Sequence, residues 1–84
     1  MRFVAEIKIG LKKGVTDPEG ASTKKALELL GFKEVLNVSA AKIFEISLDT
    51  KDEKKAKEEV EKMCQRLLAN PVIHKYSIEV KEVT

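Results

Sequence analysis

The sequence predicts an α+β domain of the ferredoxin-like kind, with the order βαββαβ and an antiparallel sheet that carries two helices on one face. Two sets of observations carry that prediction. Apolar residues alternate with polar ones in three well-separated stretches, as half-buried strands require. Between them lie two segments with apolar residues at helical spacing, each with capping signals at its start and stop signals at its end. A chain of 84 residues has room for one domain, 1–84, and none for a second catalytic one.

Residues 3 to 9 open the sheet: Phe3, Ala5, Ile7 and Ile9 share one side, and Val4, Glu6 and Lys8 the other. Gly10 to Thr16 reads as a loop. Asp17-Pro18 then supplies an N-cap acceptor followed by a proline at the first helical position, where the missing N–H is harmless. Ala26, Leu27 and Leu30 form the expected apolar stripe of this helix. Gly31 falls where a left-handed residue ends it, with Phe32 placed to fold back toward Leu27. Val35 to Ser39 is expected as a short strand that forms a hairpin with Lys42 to Leu48 through a turn at Ala40-Ala41.

Thr50-Lys51-Asp52-Glu53 fits a capping box. The helix it opens carries Ala56, Val60, Met63, Cys64, Leu67 and Leu68 on its apolar side, with expected ion pairs Glu53–Lys57 and Glu58–Lys62 outside. Asn70-Pro71 stops it, and Tyr76, Ile78 and Val80 alternate in a last strand. On the helix-averted face of the sheet, Glu6, Lys8 and Glu45 are expected to pair across strands.

Charge names no partner: 16 Lys and Arg against 14 Asp and Glu leave a net +2, too little to favour nucleic acid or an anionic membrane. The 36% charged fraction, mostly Lys and Glu, is a bias seen in proteins from hot environments. The single cysteine, Cys64, excludes an internal disulfide and a multi-thiolate metal site, and its place in an apolar stripe assigns it to the core. The N-terminus shows no secretory pattern, and a reduced, cytoplasmic location is expected.

Catalytic constellations are missing from the sequence. His74 has no cluster of ligands at metal spacing. Gly10-Leu11-Lys12-Lys13-Gly14 lacks the Walker ending, and Asp17 and Glu19 at the following helix start repel phosphate. Lys42 to Leu48 does not match the aromatic RNA-stacking pattern of RRM modules. A core this small also calls for oligomerisation.

Two segments are more specific than their physics requires: Leu11-Lys12-Lys13-Gly14-Val15-Thr16-Asp17-Pro18-Glu19-Gly20, and Met63-Cys64-Gln65-Arg66-Leu67-Leu68-Ala69-Asn70-Pro71-Val72-Ile73. They match the patterns L-K-x-G-V-x-D-P-x-G and M-C-x-x-L-L-A-N-x-V-I, and through them the chain resembles the PurS family, the small subunit of phosphoribosylformylglycinamidine (FGAM) synthase. The resemblance runs from the first strand through Glu79-Val80, and Tyr76 fits it. His74 and Lys75 depart from it, since the family often carries acidic residues there.

The resemblance implies a non-catalytic assembly subunit in purine biosynthesis. That subunit is a dimer or tetramer and bridges a glutaminase subunit and an ATP-dependent synthetase subunit, so that ammonia passes between them. No catalytic residue and no bound cofactor or metal is expected on this chain; ATP, magnesium and glutamine are used by the partner subunits, and neither nucleic acid nor membrane is a partner. Loop residues with specific identities point to contacts. Lys12, Asp17, Pro18, Asn70, Pro71, His74 and Tyr76 are therefore the expected subunit interface, although capping and helix termination also account for Asp17, Pro18 and Asn70. The competing readings are a stand-alone ACT-like small-molecule sensor, which shares the element order, and an RNA-binding module.

Overall fold

A strand with apolar residues on one side is stable only when that side is covered, and here the covering comes chiefly from one helix. The computed structural model describes residues 1–83. Its elements are β1 (Arg2–Leu11), α1 (Pro18–Leu29), β2 (Lys42–Asp49), α2 (Glu53–Met63), a π-helical turn (Cys64–Leu68) and β3 (His74–Val83). The sheet is antiparallel in the order β2-β1-β3, so β1 is bonded on both sides.

Phe3, Ala5, Ile7 and Ile9 of β1 are buried as the alternation predicts, together with Ala56, Val60 and Cys64 of α2 and its terminal turn, Ala69, and Val80 of β3. Phe44, Ile46 and Leu48 of β2 pack at the margin of this core and stay partly exposed. The reason is placement: α2 packs chiefly over β1 and β3.

The α+β ferredoxin-like class holds, with two departures inside it. Residues 35–39 form no strand; they run back irregularly beside α1, and the expected hairpin with Lys42 to Leu48 is absent. Asp17 explains part of this, because its carboxylate accepts the Ala40 N–H at 2.9 Å and so bonds the returning segment to the start of α1. The second departure is α1 itself. It stands away from the sheet, with Gly20 its only buried residue and Leu30, an expected stripe residue, 74% exposed. The molecule is correspondingly long, 51 × 30 × 14 Å, with a radius of gyration of 16.5 Å. A compact chain of this length would have a radius of about 12 Å.

Both helices end and start by local chemistry. Gly31, at φ +101°, closes α1 in a Schellman motif: Phe32 N–H bonds to Leu27 C=O at 3.0 Å and Gly31 N–H to Glu28 C=O at 3.1 Å. The N-cap of α2 is Asp52 rather than Thr50. Its carboxylate accepts Lys55 N–H at 2.8 Å, while the Thr50 hydroxyl donates to Asp52 C=O at 2.9 Å, so the capping signal lies two residues later than the expected box.

The ion pairs differ as well. Lys55–Glu59 at 3.0 Å and Lys62–Glu59 at 3.8 Å form on α2, and the expected Glu53–Lys57 and Glu58–Lys62 pairs do not form among the described residues. On the open face of the sheet the register sets Glu6 opposite both Glu45 and Glu79. Lys8 falls one row away, opposite Ile43 and Ser77, so the expected cross-strand pairing gives way to a row of like charges.

The π turn moves one more residue. Ala69 N–H reaches back to Cys64 C=O at 3.0 Å, a five-residue step that widens the last turn. Cys64 stays fully buried, whereas Leu67, expected in the core from unbroken α-helical spacing, is rotated outward to 83% exposure. Burial also raises the Cys64 thiol above its ordinary titration range, with Glu61 adding to the effect, as suits an inert core thiol. These positions separate in a stability measurement. Ile7→Ala, at a fully buried site, is expected to cost about 2–5 kcal/mol in denaturant unfolding; Leu67→Ala is expected to stay within about 0.5 kcal/mol. A Leu67→Ala loss as large as that of Ile7→Ala would return Leu67 to the core.

Candidate functional site

Where β1 ends and β3 begins, two loops are fastened to each other. Lys12 continues the ladder past the strand, its N–H donating to Ile73 C=O at 2.8 Å. Its ammonium bonds to Pro71 C=O at 2.6 Å, a contact between residues 59 positions apart. Gly14 makes the turn out of β1 at φ +87°, where a side chain would be strained, and Val15 N–H closes it on Lys12 C=O at 3.1 Å.

The second loop is organised by Asn70. Its side-chain oxygen accepts Val72 N–H at 3.0 Å, an Asx turn, and its carbonyl accepts Ile73 N–H at 3.1 Å and His74 N–H at 2.8 Å. His74 replies through its ring: Nδ1 accepts the Asn70 N–H at 2.9 Å, which places the imidazole proton on Nε2. His74, one of the two departures from the family pattern, thus has a local task that an acidic side chain would perform differently. Lys12, Asn70, Pro71 and His74 form one clamp, and their outer surfaces are largely exposed.

Asp17 and Pro18 sit at the root of α1 beside this clamp. Asp17 Oδ1 accepts Gly20 N–H at 2.9 Å and Oδ2 accepts Ala40 N–H at 2.9 Å, so one carboxylate caps the helix and ties down the returning chain. Gly20 permits the close approach: a Cβ there would lie 2.4 Å from Val38 C=O. The two amides, Ala40 first, hold the Asp17 carboxyl below its ordinary value of 3.8. Between the loop after β1 and residues 37–41 runs an open groove whose rim includes Lys8, Lys12, Lys13 and Lys75.

Tyr76 is not part of the clamp. It lies partly buried against α2, where its hydroxyl donates to Glu61, and Gln65 reaches the same carboxylate at 3.3 Å. The hydrogen bond to Glu61, with burial adding to it, keeps the phenol protonated above its usual range. The seven expected residues therefore divide into a clamp of four, a helix root of two, and a separate tyrosine. Three elements were not anticipated: the Asp17–Ala40 bond, the Gly20–Val38 approach and the Tyr76–Glu61 bond. Gly20 alone left a trace, since a glycine inside a helix commonly marks a close approach.

Among the described residues no group of His, Cys, Asp and Glu is placed to hold a metal ion, and no helix is long and apolar enough to cross a membrane. The Asp17 root is testable by titration. A carboxyl whose folded pKa is depressed contributes stability that is present above the unfolded pKa and is lost as pH falls through the folded pKa. The Gly20 and Ala40 amide resonances should titrate together with a midpoint below 3.8. They should lose that titration in Asp17→Asn; a midpoint at or above 3.8 in the unsubstituted chain would mean that the two bonds do not form in solution.

Comparison with known proteins places these features in a family. Residues 4–82 match the family model described as PurS, phosphoribosylformylglycinamidine (FGAM) synthase. The PurS subunit of that synthase from Archaeoglobus fulgidus is 52% identical over 80 residues, which span 95% of this chain and all of the relative. The crystal structure of Methanocaldococcus jannaschii PurS, described as one of the subunits of formylglycinamide ribonucleotide amidotransferase, superposes with a TM-score of 0.88 at 48% identity, covering 98% of this chain and 99% of that one. A chain in the PurLQS structure from Thermotoga maritima gives a TM-score of 0.89 at 26% identity, over 96% of this chain and 99% of that one.

Proposed function

This chain belongs to the PurS family of FGAM synthase subunits, and from that premise we propose how it works: as the assembly subunit that docks a glutaminase subunit beside an ATP-dependent synthetase subunit. The enzyme is a glutamine-dependent ligase of purine biosynthesis, and this subunit is its non-catalytic part. The ACT-like sensor has no support from the matches, which lead to PurS over nearly the whole chain.

The observation that carries the mechanism is the two-loop clamp. Lys12, Asn70 and His74 commit their side-chain polar groups to loop backbone, at Pro71, Val72 and Asn70 respectively, and hold an exposed surface in one shape. A core needs no such arrangement, but a docking surface gains affinity when its loops are already ordered before binding. The clamp, the Asp17–Pro18 root and Tyr76 are the contact residues of this reading. The lysine-rimmed groove beside them suits an acidic surface on a larger subunit.

Coupling explains why a subunit of this kind is needed. Ammonia released into solution is mostly protonated near neutral pH and diffuses away, so glutamine-dependent synthesis requires the two active sites to be held in register. ATP, magnesium and glutamine are handled by the partner subunits, in the cytoplasm. Residues 1–84 act as one domain, and self-association into a dimer or tetramer presents more than one clamp to the partners.

Reconstitution with the two larger subunits tests the reading. Adding the chain is expected to restore glutamine-dependent synthesis and to leave ammonia-dependent synthesis by the synthetase subunit nearly unchanged. Lys12→Ala should keep the fold and lower the glutamine-dependent rate at limiting subunit concentration by about tenfold, equivalent to about 1.4 kcal/mol of docking. If the chain raises both rates equally, it activates the synthetase, and the bridging mechanism is wrong.

A further inference from the structure

The clamp contains one acceptor that a proton can remove near neutral pH, the His74 ring. The loop between the π turn and β3 is closed by a reciprocal pair of bonds: His74 N–H donates to Asn70 C=O at 2.8 Å, and Asn70 N–H donates back to Nδ1 of the imidazole at 2.9 Å. The first bond is indifferent to protonation. The second requires the neutral ring, because an imidazolium carries protons on both nitrogens and sets a donor against a donor. One residue along the chain, Pro71 C=O holds the Lys12 ammonium at 2.6 Å, so the loop that the imidazole steadies is also the one to which the first loop is fastened.

We propose that His74 is a proton switch for this clamp: forming the imidazolium frees the Asn70 N–H, turns the ring out of the loop and loosens the Pro71 carbonyl beneath Lys12, so that docking to the larger subunits weakens as pH falls. The switch rests on the clamp being the docking surface. The ring has room to turn, since it borders a cavity of about 300 Å³ between the end of β1, the root of α1 and the start of β2. Across that cavity stand Glu19 from α1 and Lys42 from β2, while β1 and the π turn contribute apolar Ile9, Leu11 and Leu68. The Lys12 ammonium lies at Pro71, and the Lys75 side chain runs beside Gly10 on the opposite face of the sheet. Tyr76, the next titratable group on the same face of β3, is engaged by Glu61 of α2. Glu19 thus offers the displaced imidazolium a carboxylate, while Lys12 and Lys42 disfavour a third cation within the clamp. The docked state binds fewer protons, so affinity rises with pH and levels off once the ring is neutral. The Lys12 N–H to Ile73 and His74 N–H to Asn70 bonds persist throughout, which confines the change to the loop and spares the strands.

Titration reads the switch in two places. In the free chain, the Asn70 amide resonance is expected to follow the His74 ring resonances, with a shared midpoint, between about pH 8 and about pH 5.5, where histidines change charge. His74→Asn offers the same N–H a side-chain oxygen that does not titrate, and should hold the Asn70 resonance level. In the complex, affinity is read from the chain concentration that gives half of the glutamine-dependent rate with the two larger subunits. Comparison with His74→Asn at each pH cancels the pH dependence of those subunits. Relative to that variant, the unsubstituted chain should lose affinity by about threefold to tenfold across the range, the worth of one hydrogen bond. An Asn70 amide that stays level while the ring titrates overturns the switch and leaves the docking reading in place. An amide that follows the ring beside a constant affinity ratio overturns the link to docking. Failure of the docking reading itself shows separately, as undiminished capture of the larger subunits by Lys12→Ala.

Discussion

β1 is the central strand of the sheet, with neighbours on both sides, and the other described elements are placed relative to it. Its four inward residues, Phe3, Ala5, Ile7 and Ile9, are buried, and they require a cover of comparable length. α2 provides one, with Ala56 and Val60 as small, fully buried contact points that let the helix lie close to the sheet. A single short helix cannot cover three strands. Placing α2 over β1 and β3 therefore leaves β2 at the margin, and the open edge, the half-exposed stripe and the free α1 arm are three results of one shortage of covering surface.

That shortage bears on function. A small domain that finishes its own core has little reason to associate, whereas one that leaves apolar surface and a strand edge unsatisfied depends on association for part of its stability. An assembly subunit benefits from this dependence, because its scaffold is completed only in the complex it organises. The polar loops work in the opposite sense. The Lys12–Pro71 and Asn70–His74 bonds are satisfied within the chain, so the clamp is ordered before any partner arrives.

Much of this was legible in the sequence because the relevant signals are local. The alternation from Phe3 to Ile9 identified the buried face, Asp17-Pro18 and Gly31-Phe32 marked both ends of α1, and Cys64 fell in the core. The misreadings share a different cause. A π turn inserts an extra residue into the helical period, which no spacing rule anticipates, and it turns Leu67 out of the core. The composition of residues 35–39 suits a strand, while the bond that holds them elsewhere, Asp17 to Ala40, spans 23 positions. The clamp residues were singled out by their match to a family pattern; the bonds that unite four of them and exclude Tyr76 depend on tertiary placement.

The Asp17 root gives the arm a further property. One carboxylate holds the first turn of α1 and the chain returning at Ala40, so the whole excursion is a loop whose two ends are pinned at the same point. Its far end, around Leu29 to Leu36, lies outside the core and is largely exposed. Chain breaks or insertions are tolerated where the backbone is exposed and both flanking ends stay anchored. The tip of the arm is thus a position at which a protease could nick the chain without releasing either fragment. By the same logic it is where a reporter sequence can be spliced in while the sheet and the clamp keep their geometry.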